Sequence, residues 1–360
     1  MSVLALIAAA ALAAPAAAAD VSSLQPGDAA VGSAGPLAFG PDGILFVGDT
    51  ANATIWALDT GDREPGSALV AIEDVGQKIA ALLGVLAADV AINDMAVNPI
   101  SGRAYLSVSR GQGPDATPVV VRTGSAGALE ALSLKDIPHS SVSLGNAPSE
   151  EATDRRGRSL RREAITDLHY LDGKLFVAGL SNEEFASKLR SVAFPFTEAD
   201  GGTSVEIYHA SHGAWETRSP VRTFVPYEIR KQAHLLAAYT CTPLVSFPVD
   251  ELEPGTKVVG KTIAELGNRN RPLDMVVYRK DGGDYLLMSN SSRGVMRMST
   301  AGIQDLGAIT EQVEETAGLA YETLAEFQGV EQLDRLGDQH ALLLVRAEDG
   351  TADLTTIPLP

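Results

Sequence analysis

A short pattern recurs along this chain and constrains its fold more than any other feature. Residues 35–59, GPLAFGPDGILFVGDTANATIWALD, hold three apolar runs, 36–39, 44–47 and 55–58. A Pro-Asp-Gly turn (Pro41, Asp42, Gly43) and a polar loop at 49–52 separate them. Runs rich in β-branched and aromatic residues, bounded by turn residues, predict short antiparallel strands. Variants return as DMAVNP, RAYLSVSRG and PVVVRTG from Asp94, and as DLHYLDGKLFVAGLS from Asp167. Further copies begin at Val221, Pro272 and Val330, the fourth being the least regular. One anchor per copy, Leu37, Met95, Leu168, Phe224, Met275 and Leu333, gives intervals of 58, 73, 56, 51 and 58 residues.

Sheets this small cannot bury both faces alone, so a near-constant period of them implies packing in a ring. Six copies predict an all-β fold, a six-bladed β-propeller. The blades are expected at about 34–73, 92–143, 165–210, 220–266, 270–310 and 329–360, within one domain spanning 20–360. Residues 75–88 break the strand pattern. Ile79, Leu82, Leu83 and Leu86 recur there at helical spacing, which predicts a short amphipathic insertion. Residues 301–328 read as an outer strand with a linker or helix.

Residues 3–19, VLALIAAAALAAPAAAA, are uncharged, and Ala17 and Ala19 form a small-x-small cleavage pattern. They read as a signal peptide (1–19), although no Lys or Arg precedes the apolar run. The mature chain is therefore expected to be secreted or periplasmic, with no membrane span. A net charge of −18 and pI near 4.7 argue against a nucleic-acid partner. The single cysteine, Cys241, excludes an intramolecular disulfide framework and a thiolate zinc cluster. Five arginines fall within residues 155–162, either a solvated segment or a basic patch that docks an acidic partner.

The first copy resembles NHL-type repeats, with Pro36, the 41–43 turn, Phe46-Val47, Asp49-Thr50, Asn52 and Ile55 in order. The likeness is close over about 25 residues and loose elsewhere. It implies the gluconolactonase/NHL-type six-bladed architecture, which hosts both secreted enzymes and binding proteins.

The repeats sort the loops by face. Connections between first and second strands are tight turns of Gly, Asp, Asn and Pro, suited to backbone geometry. Connections between second and third strands are longer and polar, and lie on the opposite face with the entries to the innermost strands. Binding residues tend to sit on such loops. Asp94, Asp167 and Asp274 each start an innermost strand, so in register they converge at the channel mouth. Arg110, Arg271, Arg293, Asn182, Glu183, Asn268 and Asn290 are expected on the same face. A strand-start Asp can equally cap backbone N–H groups, and the arginines can simply pair with these aspartates.

Several chemistries are compatible with these residues. The aspartates with Asn182 and Asn290 offer oxygen ligands for Ca2+ or another divalent cation. Gluconolactonase-like and paraoxonase-like propellers use such sites for hydrolysis, a resemblance of architecture and ligand type only. His209 and His212 form H-x-x-H, but positions i and i+3 of a strand face opposite sides, so both ligate one ion only from a turn. They read as structural or solvated, at the outer edge of the third blade and far from the channel, with His234 about a blade away. Tyr239 and Cys241 resemble the Tyr–Cys pair of some copper-dependent propeller oxidases, without recognisable partner histidines. No G-x-S-x-G is present, and Gly111-Gln112-Gly113 opens no helix. Residues 267–274, GNRNRPLD, with Arg293 can hold a carboxylate or phosphate bidentately. The sequence thus favours a binding or interaction module for a small acidic ligand or partner protein, with a metal-dependent lactonase-like hydrolase as the alternative.

Overall fold

The computed structural model describes residues 21–66, 69–124, 127–241 and 243–360. The proposed signal peptide lies outside them. The described residues are all-β with one α-helix, and form six sheets arranged as a propeller. Among the described residues no helix is long and apolar enough to cross a membrane.

Each blade begins with a hairpin whose inner strand lines the central channel. The inner strands are Leu37–Phe39, Val90–Val97, Asp167–Leu171, Val221–Ile229, Pro272–Lys280 and Val330–Leu336, defining blades 1 to 6 in chain order. Their second strands are almost wholly buried; Ile44 to Val47, for example, are fully inaccessible to solvent. Asp172-Gly173 and Asp281-Gly282 close two hairpins as two-residue turns with all four φ angles positive. That geometry matches the right-handed twist of the strands, and glycine adopts it without strain.

The blades do not follow one another round the ring in chain order. Six apolar clusters fill the junctions, and they pair blades 1–2, 1–3, 3–4, 4–5, 5–6 and 6–2. Blade 1 therefore sits between blades 2 and 3. After its third strand, Thr54–Asp59, the chain crosses to blade 6 and adds the edge strand Ala71–Ile72, paired with Ala352–Pro358. It then builds blade 2 and returns, so that Ile137–Ser143 becomes the fourth strand of blade 1. Gln25–Gly27 pairs outside it. Two expected boundaries are thus corrected: residues 137–143 belong to blade 1, and 71–72 to blade 6. The long interval of 73 residues holds this returning strand and the crossing that follows it.

The crossing places residues near the channel. Ser143 ends at the outer edge of blade 1, level with Thr54, whereas Asp167 starts at the centre. Residues 144–166 must span the face between them.

The helix runs Val75–Leu83, capped by Asp74 at its start and by Gly84 in the left-handed region at its end. Val75, Ile79 and Ala80 bury against the junction of blades 2 and 6, with Leu83 partly covered. Leu82 and Leu86, expected on that face, are exposed: Leu82 lies beside the face made by Val75, Ile79 and Ala80, and the helix stops at Gly84 before Leu86. In 301–328, Thr316–Gly318 adds an edge strand to blade 4 and Glu322–Leu324 to blade 5, with no α-helix.

Candidate functional site

The three strand-start aspartates converge, together with two residues that the repeat pattern did not single out. Strand register places Pro36, Asp94, Asp167, Thr223, Asp274 and Gln332 at equivalent positions of the six inner strands. Asp94 Oδ2 accepts from the Leu37 N–H of blade 1 at 2.6 Å. Asp274 Oδ2 accepts from Leu333 N–H of blade 6 at 2.9 Å, and Asp167 Oδ2 from Phe224 N–H of blade 4 at 2.7 Å. Asp334, two residues deeper than Gln332, does the same for Val97 N–H of blade 2 at 2.7 Å. Each carboxylate takes an orphan N–H from a neighbouring inner strand, whose channel edge pairs with no further strand. Four of the six junctions are stapled in this way among the described residues. Pro36 and Thr223 stand at the equivalent positions of the blades that lack such a staple.

Gln332 lies between two of these groups. In the orientation that satisfies both ends of its amide, its nitrogen donates to Asp94 Oδ1 at 2.9 Å and to Asp274 Oδ2 at 3.0 Å. Burial, opposed by the Leu37 N–H and reinforced by the charge of Asp167, pushes the Asp94 carboxyl up to about 8. Burial pushes Asp167 up to about 7 and Asp334 up to about 6, each opposed by its backbone donors. Asp274 is also raised well above the usual range, by burial and then by Asp94. His169 is held down at about 4 by burial. Near neutrality this ring carries much less negative charge than its composition implies.

The ring divides the channel. On the side of the second-to-third-strand loops a cavity of about 960 Å3 opens above it, and on the opposite side one of about 1070 Å3; Asp94, Asp167 and Asp274 line both. The upper cavity is also lined by Arg161, Arg162, Arg222 and Arg271, against the carboxylates Glu150 and Glu163. Arg161 reaches it from the crossing segment, held by the carbonyls of Ala51 and Pro148. Arg222 pairs with Glu163 at 2.5 Å and donates to Thr240 Oγ1. Among the described residues Arg162 and Arg271 make no ion pair, and no arginine pairs with Asp94, Asp167 or Asp274. Burial, with Arg222 nearby, holds the Arg271 guanidinium below its usual range, while Glu163 opposes.

Of the residues expected on this face, Asp94, Asp167, Asp274 and Arg271 line the upper cavity. Arg110, Asn182, Asn268, Asn290 and Arg293 do not. Arg110 and Asn182 are exposed outside it. Asn290 is buried and donates to Asn270 Oδ1, while Arg293 donates to the Asn268 carbonyl. This cluster stabilises the 267–270 loop at the rim. Asp49, in the loop of the first repeat, accepts from Gly32 N, Ser33 N and the Asn52 side chain, tying the N-terminal segment to blade 1.

The aspartates fit a hard cation poorly. Each already accepts a backbone N–H from a neighbouring blade, and the Gln332 amide, in its satisfied orientation, donates to both Asp94 and Asp274. Calcium sites present several oxygens around one centre, not an amide donor.

No family model matches the chain, and no curated protein matches it. Several solved structures are similar to it at low identity. The PQQ-bound form of aldose sugar dehydrogenase from Streptomyces coelicolor is 11% identical, over 92% of this chain and 96% of that one, with a TM-score of 0.34. An engineered GH43 glycoside hydrolase is 11% identical over 75% of this chain and 52% of its own, with a TM-score of 0.38. A chain of a mitotic checkpoint complex is 8% identical over 100% and 99%, with a TM-score of 0.40. At these values the likenesses carry no argument about chemistry.

Proposed function

We propose that this chain is an exported propeller that binds a small anionic ligand in the upper mouth of its channel. The reading rests on one observation: within a protein of net charge −18, four arginines and only two glutamates line a cavity whose floor aspartates are pushed toward their neutral forms. Arg271 and Arg162 supply charge and a planar fork for a carboxylate or phosphate. The protonated carboxyls below donate hydrogen bonds to the same ligand or to its hydroxyl groups. A volume of about 960 Å3 suits a small molecule. The proposed signal peptide is consistent with capture of such a ligand outside the cytoplasm.

Calorimetric titration of the mature chain with phosphate, citrate and a panel of sugar acids, beside the matching neutral sugars, tests this. At least one acid is expected to bind, with the corresponding neutral sugar not binding. Arg271→Ala is expected to weaken binding by about 10- to 100-fold, the size of a charge-assisted hydrogen bond of ~1.5–3 kcal/mol. Binding of neutral sugars alone, or an unchanged affinity in Arg271→Ala, would overturn the proposal.

A further inference from the structure

A second cluster lies at the rim between blades 3 and 4, separate from the channel floor. His209 is the last residue of the strand Thr203–His209, and His212 sits in the turn that follows, so the pair meets the requirement that both ligate from a turn. Their rings lie 3.8 Å apart between centroids, with their planes tilted by 35°. Cys241, in the tight turn after the strand Gln232–Tyr239 of the next blade, comes against them. One nitrogen of each imidazole and Cys241 Sγ lie within 4.8 Å of one another. The histidines lie about 30 positions from Cys241 in sequence, and the junction of two blades brings them together.

His209 is 2% exposed, and neither of its ring nitrogens makes a hydrogen bond. Its Nδ1 is 3.0 Å from Glu216 Oε1 but out of line with it. The half-exposed His212 does bond Glu216 Oε1, at 2.7 Å through Nδ1, which leaves its Nε2 for another partner. Glu265, fully buried, accepts from Ser211 N–H with one oxygen, while its other oxygen has no partner. A buried imidazole and a buried carboxylate oxygen without partners are costly unless something completes them. Cys241 is held by its own N–H to the Asn270 carbonyl at 2.8 Å.

We propose that His209, His212 and Cys241 bind a borderline transition-metal dication of the zinc class. Two imidazoles and a thiolate suit such an ion, whereas calcium and magnesium take oxygen. Glu216, bonded to the far nitrogen of His212, is the outer carboxylate that commonly orients a ligating histidine. Water supplies the fourth position. Tetrahedral Zn–N and Zn–S bonds place ligand atoms about 3.5 Å apart, so the site closes by about 1 Å, which the half-exposed His212 and the Cys241 turn can provide. Binding releases the thiol proton.

The test is titration of the chelator-treated mature chain with Zn2+, and with Co2+ as the spectroscopic probe. One ion per chain is expected, with a thiolate-to-cobalt charge-transfer band. Cys241→Ser abolishes that band. His212→Ala, at a half-exposed position that keeps the fold, weakens Zn2+ by more than the about 10–100-fold that loss of an outer partner such as Glu216 costs. His340→Ala, in blade 6, leaves affinity unchanged. Absence of stoichiometric uptake, a cobalt spectrum without the thiolate band, or equal affinity in Cys241→Ser with circular dichroism intact would overturn the site. The first result would leave a purely structural His–Glu network, and the last two a metal held without the thiolate. Anion binding in the channel is scored separately and survives loss of this metal.

Discussion

Asp167 illustrates how a strand-start carboxylate holds blades together. Its two oxygens accept the N–H groups of Leu168 and Phe224, one within blade 3 and one in blade 4. Removing them leaves two donors without partners at the channel wall. Asp167→Ala is therefore expected to lower stability by about 2–4 kcal/mol, measured by urea denaturation at fixed pH. Asp167→Asn, which keeps an acceptor, should cost less. The raised pKa values carry a sign opposite to that of most carboxylates. Asp94 and Asp167 bind protons in the folded state, at about 8 and 7, that the unfolded chain has already released. Folding stability therefore falls as pH rises toward 8. His169, held near 4, acts the other way below its unfolded value of about 6.5. The cleanest window is thus about pH 6.5 to 8. The urea midpoint is expected to decline across it in the native chain and to decline less in Asp94→Asn.

At the scale of the element, the crossing segment 144–166 combines two roles. It links the outer edge of blade 1 to the centre of blade 3, and it brings Arg161, Arg162 and Glu163 over the cavity. Arg155 and Arg156 form an exposed turn within it. Limited trypsin treatment is expected to cut there first, and the nicked chain is expected to keep its melting transition, because no blade strand is severed. If anion binding then falls while the melting temperature holds, the segment is part of the site; cleavage that unfolds the ring would contradict this. The hairpins of blades 1, 3 and 5 were the most legible in the sequence because each is local, an apolar run, an Asp-Gly or Pro-Asp-Gly turn and another run, whereas blade 4 turns on Arg230-Lys231. The position of the fourth strand of blade 1 was not, since it pairs Ile55 with Val142 across an intervening blade and no local pattern records such a partner. Of the site, the aspartates were legible because three copies share them in register. Gln332 was missed because its copy carries an amide where three of the others carry a carboxylate. The approach of His209 and His212 to Cys241 depends on how two blades face each other, which repeat spacing does not reveal.

For the whole molecule, closure depends on both ends of the chain. The strand Ala71–Ile72 completes blade 6, whose other strands come from 330–358, so early and late residues share one sheet. A chain ending before Val330 leaves two junctions of the ring unfilled, those of blades 5–6 and 6–2. Deletion of 330–360 is expected to abolish cooperative unfolding altogether, not merely to remove one blade, as thermal circular dichroism would record. The transposed order of blades 1 and 2 also has a consequence in time. On the ribosome, Thr54–Asp59 is made roughly 80 residues before the strand that covers its outer edge. At about 5–20 residues per second, that edge waits for some 4–16 seconds. A nascent chain with an open, apolar strand edge is a template for wrong pairing. The newborn protein therefore passes through an interval in which the outer edge of a strand that the finished ring largely buries stands unpaired.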